Sequence, residues 1–278
     1  MKAICVLPSL FLAALVTSIS FAQAAAPRQA AGPASMPPAA PQGQQGELDK
    51  YRRLANDYGQ LSRYAAANAA LPPTAPDQPR VIFFGDSITD GWHLDQYFPG
   101  KPYVNRGIGG QTTPQMLVRF RQDVLDLHPA VLVVLAGTND LAGNTGPETM
   151  GQIEDDFATF ADLARAHGIK VVFASITPIS DYGPAGASMP AGRPPQKILE
   201  LNASLRQLCA NNSLVYLDYY AAMVDGAGML RRELSADGLH PNAAGYAVMA
   251  PLAGKAIDAA LAGPPLAPSL ATSVAPVR

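Results

Sequence analysis

Along the chain, unbroken apolar runs alternate with stretches whose apolar residues recur every three or four positions. Val81-Ile82-Phe83-Phe84 has no polar interruption, and neither has Val-Leu-Val-Val-Leu within Ala130 to Ala136. Runs of this length, closed by Gly, Asp, Ser or Asn, read as strands buried on both faces. Three more complete the set: Tyr103-Val104-Asn105, Ile169 to Ile176, and Leu214 to Leu217, with the first strand starting at Arg80. Between them the period changes to that of a helix. Leu117, Phe120, Val124 and Leu127 share one face of a helix opened by Thr113-Pro114, and Ile153, Phe157, Phe160 and Ala164 share one face of Pro147 to His167. Lys197 to Asn211 and Asn242 to Leu261 continue the alternation, the latter carrying Pro251 as a candidate kink. Ahead of the first strand, Leu48, Tyr51, Leu54 and Tyr58 predict an amphipathic helix over Glu47 to Ala69, packed beside the rest. Buried strands alternating with helices predict an α/β protein of three layers, α/β/α, around a flavodoxin-like five-stranded parallel sheet of order 2-1-3-4-5. Pro178 to Pro195 breaks the pattern: it is crowded with Pro and Gly, has no period, and reads as a long functional or disordered loop.

The ends of the chain differ in character from the middle. Lys2, an apolar run from Ala3 to Val16 and Ala22-Gln23-Ala24 have the form of a secretory signal peptide over residues 1–24, too short to span a bilayer. Residues 25–46 are an Ala/Pro-rich linker, 47–263 the folded domain with its N-terminal helix, and 264–278 a disordered Pro/Ala tail. The expected mature protein is secreted or periplasmic, with no transmembrane segment. At 278 residues, 48% of them apolar, one domain can bury a full core. A net charge of -2 provides no basic excess for a phosphate backbone, which argues against nucleic acid as a partner. Cys5 leaves with the signal and Cys209 is left alone, a small buried hydrophobe that can form no intrachain disulfide. Asn202-Ala203-Ser204 and Asn211-Asn212-Ser213 fit the glycosylation sequon.

Three strand ends carry polar or glycine-rich turns: Ser87 after Gly85-Asp86, Gly107 to Gly110, and Asn139 after Gly137-Thr138. A parallel sheet brings them to one edge, and the loop with Asp237 and His240 can close over it. Acyl transfer needs a nucleophile, a base, a group that orients the base, and donors facing the oxyanion. Ser87, His240 and Asp237 fill the first three roles. The backbone amides of Ser87 and Gly110 and the side-chain amide of Asn139 supply the oxyanion hole. Gly107 to Gly110 lacks the third glycine of a dinucleotide fingerprint and a Walker lysine, so it is a poor phosphate cradle. His93, His128 and His167 lack ligand spacing, and no metal site is expected. Trp92, Arg106 and Tyr182 are candidate substrate-binding residues; for Trp92 the alternative is packing, and for Arg106 an ion pair with a structural carboxylate.

Four stretches, Gly85-Asp86-Ser87, Gly107-Ile108-Gly109-Gly110, Gly137-Thr138-Asn139-Asp140 and Asp237-Gly238-Leu239-His240, resemble in order the first, second, third and fifth blocks of the GDSL, or SGNH, hydrolases. The resemblance covers about residues 80–262. It implies the SGNH hydrolase fold, a cofactor-free mechanism and hydrolysis of carboxylic esters. The second and third blocks look most like those of bacterial relatives of platelet-activating-factor acetylhydrolase α subunits and of carbohydrate acetylesterases, which makes a small-molecule or carbohydrate ester the expected substrate. A lysophospholipase or thioesterase, and a non-catalytic glycan-binding relative, are the competing readings. Gln111 stands where many relatives carry Asp.

Overall fold

A computed structural model describes residues 42–264; the expected signal peptide and most of the expected linker and tail lie outside the described residues. The described residues from Gly46 onward form one compact unit. Its strands are β1 (Val81–Gly85), β2 (Tyr103–Gly107), β3 (Val131–Leu135), β4 (Lys170–Ala174) and β5 (Val215–Leu217). All pair in parallel in the order β2-β1-β3-β4-β5, as the alternation predicts.

The helices, in chain order, are α1 (Gln42–Asn56), α2 (Ser62–Ala69), α3 (Ser87–Asp90), α4 (Leu94–Tyr97), α5 (Thr113–Asp123), α6 (Thr138–Leu141), α7 (Met150–Ala166), α8 (Ser188–Gly192), α9 (Pro195–Asn212), α10 (Tyr219–Met223) and α11 (Ala243–Ala262). Alternate strand residues go to opposite faces. Ile82, Phe84, Leu132, Val134, Val171 and Phe173 join an apolar cluster with residues of α5, α7 and α9. Val81, Phe83, Val131, Val133, Val172 and Ala174 join a second cluster with residues of α11. Burial on both faces is why the strands carry no polar alternation.

The chain departs from the sequence reading at its N-terminal helix. Two helices replace the single one, and the first starts at Gln42, inside the expected linker. The Asp57 carboxylate accepts from the amides of Leu61 and Ser62 and from the Ser62 hydroxyl, a local alternative that stops helix propagation. Leu48 and Tyr51 are exposed, so the apolar stripe of α1 is not buried as expected. The Pro178 to Pro195 segment contains α8 rather than being wholly irregular. Pro251 lies inside a continuous α11, capped at its start by Asn242, whose Oδ1 accepts from Ala244 and Gly245. Cys209 is buried, and burial pushes its thiol up to about 12. Asn202 is not a free sequon: its amide both donates to and accepts from the Ile176 backbone. No described helix is long and apolar enough to cross a membrane.

Candidate active site

Sheet register aligns the three polar turns. Gly85 lies opposite Gly107 on one side and Leu135 on the other, so the residues after them leave the same edge. At Gly107 the β2 end is so close to α3 that a Cβ would run into the Asp90 backbone nitrogen, which restricts the position to glycine. Ser87 is the first residue of α3, and the Asp86 carboxylate caps the turn by accepting from Ile88 at 3.0 Å. A serine there has an amide with no intrahelical partner, and its side chain stands at the sheet edge.

The loop before α11 reaches that edge. His240 Nε2 is 2.9 Å from Ser87 Oγ, and His240 Nδ1 is 2.6 Å from Asp237 Oδ2. Asp237 Oδ1 accepts from the Leu239 and His240 amides at 2.9 and 2.8 Å and from Ser235 Oγ at 3.1 Å. Burial alone would push the Asp237 carboxyl up; the imidazole and the amides of His240 and Leu239 outweigh it and hold the group at about 2. Gly238 takes a positive φ of 83°, and a Cβ there would collide with the Ser180 carbonyl, so the turn between Asp237 and His240 also requires glycine.

Gly109 and Gly110 complete the approach. A Cβ at Gly109 would lie 3.8 Å from the Ser87 Cβ, so this turn borders Ser87. The Gly109 amide is held by Asp90 Oδ2 at 3.1 Å, while the Gly110 amide has no hydrogen-bond partner among the described residues. Asn139, buried at the start of α6, donates from Nδ2 to the Gln111 carbonyl at 3.0 Å. Asp140, its neighbour, accepts from both the amide and the hydroxyl of Thr113 and so ties the third strand end to the second. That latch was overlooked in the sequence, although Asp140 belongs to the same four-residue block as Asn139.

Each of the three candidate substrate-binding residues makes contacts within the fold. Trp92 is 2% exposed and stacks on Tyr246 within a ring cluster that includes Phe83, in keeping with the packing alternative. Arg106 is 5% exposed and lies over the Tyr64 ring; Nε donates to Asn68 Oδ1 and Nη1 to the Asn105 carbonyl, while the buried Nη2 has no hydrogen-bond partner among the described residues. The Tyr182 hydroxyl donates toward the Arg231 and Ser235 carbonyls, on the loop that leads to Asp237. Gln111 explains its departure from the family block. Fully buried, it donates to the Gly59 carbonyl and accepts from Arg119 Nε at 2.6 Å, a donor–acceptor pair that an acceptor-only aspartate does not offer.

The model of the GDSL-like Lipase/Acylhydrolase family matches residues 83–248. The chain belongs to this family. That membership classes it with carboxylic ester hydrolases. A GDSL-like lipase from Bacteroides thetaiotaomicron is similar in structure at a TM-score of 0.68, with 39% identity, covering 73% of this chain and all of that one (100%). The platelet-activating factor acetylhydrolase IB subunit alpha2 of Homo sapiens is 29% identical over 184 residues, 61% of this chain and 72% of that protein. An uncharacterised lipoprotein of Bacillus subtilis is 36% identical over 118 residues, 36% of this chain; the match spans about half (49%) of the relative's length.

Proposed function

We propose that this chain is an exported serine esterase that hydrolyses short-acyl carboxylic esters, with O-acetyl groups on carbohydrates as the best-suited class. The observation that carries the reading is the unbroken line from Ser87 Oγ through the His240 imidazole to the Asp237 carboxylate. In this reading Ser87 Oγ attacks the ester carbonyl carbon while His240 Nε2 takes the hydroxyl proton. Asp237 holds Nδ1–H and offsets the positive charge on the ring. The amides of Ser87, Gly110 and Asn139 receive the charge that develops on the carbonyl oxygen. Collapse breaks the ester C–O bond, and the imidazolium returns its proton to the leaving alkoxide. Water then enters by the same route in reverse and frees the acid and Ser87.

The acyl and leaving-group preference rests on what borders the Gly109–Gly110 turn. A cavity of about 260 Å³ opens there between the turn and the N-terminal helices, with Leu54, Gln60, Asn144 and Thr145 in its wall. It is small and mixed in polarity, which suits a sugar-sized alcohol better than a long acyl tail. A relative named for acetyl hydrolysis is in keeping with a small acyl group. Export is supported by the form of residues 1–24 and by a relative named as a lipoprotein. We assign residues 47–263 to the hydrolase domain. The deciding experiment is labelling by a fluorophosphonate probe: adduct on Ser87 with loss of p-nitrophenyl acetate hydrolysis is expected. Labelling elsewhere, or full activity after stoichiometric modification of Ser87, would overturn the assignment.

A further inference from the structure

Arg193 follows α8, in the segment that the sequence reading left as an irregular loop, and its guanidinium is turned inward toward α6. Nη2 donates to Asn139 Oδ1 at 3.2 Å, and Nε donates to Thr138 Oγ1 at 3.1 Å. Asn139 therefore has both ends of its side-chain amide engaged. Oδ1 accepts from a cation, and one Nδ2 proton goes to the Gln111 carbonyl at 3.0 Å. The second Nδ2 proton is left for a substrate oxygen.

An asparagine amide is nearly symmetric in shape, so an environment that distinguishes oxygen from nitrogen must fix which end faces the reaction. A flipped Asn139 would set its NH2 against the guanidinium and its oxygen against the Gln111 carbonyl, two repulsive contacts replacing two attractive ones. A charge-assisted bond to Oδ1 also draws electron density from the amide and makes its remaining N–H a better donor. We propose that Arg193 is a positioning residue for acyl transfer, holding the Asn139 amide with its nitrogen toward the reacting carbonyl. This rests on the reading of Asn139 as an oxyanion donor. It gives the Pro178 to Pro195 segment a task at each end: one end braces Asp237, through Ser180 N donating to the Gly238 carbonyl at 2.8 Å, and the other braces Asn139.

The test is steady-state kinetics of the purified chain on p-nitrophenyl acetate, with active sites counted by fluorophosphonate titration, for Arg193→Ala, Arg193→Lys, Asn139→Ala and the Arg193→Ala/Asn139→Ala double variant. Arg193→Ala is expected to lower kcat about ten- to a hundredfold, the range spanned by loss of one hydrogen bond to a charged group, with KM little changed. Lys restores part of it, since an ammonium supplies a point charge but no fork. The double variant should be no slower than Asn139→Ala alone, because Arg193 acts through Asn139. Wild-type kcat per titrated site in Arg193→Ala, with only the melting temperature lowered, would reduce the contact to a structural bracket and overturn the proposal. So would a raised KM with losses that add to those of Asn139→Ala, which would make Arg193 a direct substrate contact. Wild-type kcat in Asn139→Ala would instead remove the oxyanion reading beneath it, a separate failure visible in that single variant.

Discussion

His240 Nδ1 sits 2.6 Å from Asp237 Oδ2, while the other oxygen of the same carboxylate accepts the His240 backbone amide at 2.8 Å. One side chain thus fixes both the ring and the peptide that carries it. With Nδ1 donating to a carboxylate, the lone pair of the neutral ring falls on Nε2, 2.9 Å from Ser87 Oγ. The three-residue spacing of Asp237 and His240 is what allows a single turn to make both contacts.

Ser87→Ala and His240→Ala are each expected to lower turnover by several orders of magnitude without altering the fold, since nucleophile and base act as a unit. Asp237→Asn should cost less than either, because the imidazole keeps its place beside Ser87. Circular dichroism and kcat on p-nitrophenyl acetate check this together. A Ser87→Ala protein that turns over at the wild-type rate would send the search for the nucleophile elsewhere.

The pH profile follows from the depressed carboxyl. Asp237 is held at about 2, below its value in an unfolded chain, so its favourable contribution is present above the unfolded value and is lost only as pH falls through about 2. Between neutral pH and the mildly acidic range it stays ionised. The imidazole must be neutral to accept from Ser87, and Asp237 adds no proton of its own to the acid limb of kcat/KM. A limb with slope two would show a second group titrating with it and contradict this division of roles.

Asp86 behaves in the opposite sense. Burial pushes its carboxyl up to about 7 against the pull of the Ile88 amide, with the neighbouring Asp140 carboxylate adding to the rise, and Oδ2 has no hydrogen-bond partner. A folded value above the unfolded one makes the contribution to stability greatest below about pH 4, and it is lost as pH rises toward 7. Asn keeps an acceptor for Ile88 and carries no charge. Asp86→Asn should gain stability relative to wild type between pH 5 and pH 8, as read by urea unfolding. A difference independent of pH would mean that Asp86 does not titrate in that window.

Much of this was legible in the linear pattern, and the misses share a cause. Strands buried on both faces advertise themselves as unbroken apolar runs, and Ser87, Asn139, Asp237 and His240 stand in turns at places a parallel sheet dictates. Arg106 and Arg119 show where such reading stops. Both are nearly inaccessible, and Arg119 is fully buried with Asp123 at 3.1 Å, donating also to the Arg106 and Gly85 carbonyls. Charged residues enter the core here because strand-end carbonyls and Gln111 supply acceptors distant in sequence, and no local period encodes that. Trp92 stayed open between packing and substrate for the same lack of a local signal: its position after the Ser87 turn says nothing about which way the ring points, and Phe83 and Tyr246 hold it inward. Arg193 lay in a segment without periodicity, so only its three-dimensional placement links it to Asn139.

Acyl-chain preference separates an acetylesterase from a lipase or thioesterase of the same fold. A long tail requires a continuous apolar groove leading from the nucleophile. The cavity beside Gly109 and Gly110, at about 260 Å³, lies below the ~300–1,000 Å³ of a typical ligand pocket, and Gln60, Asn144 and Thr145 interrupt its lining. Trp92, which follows the Ser87 turn, is committed to the core and extends no apolar wall from it. A series of p-nitrophenyl esters compared by kcat/KM should therefore peak at acetate and fall for chains of eight or more carbons. Replacing Asn144 with Leu, which removes the contact to the Gly110 carbonyl and adds apolar surface, should narrow the gap between acetate and octanoate. A wild-type maximum at octanoate or beyond would favour the lipase or thioesterase reading, since turnover of that size class needs a groove that these residues do not form.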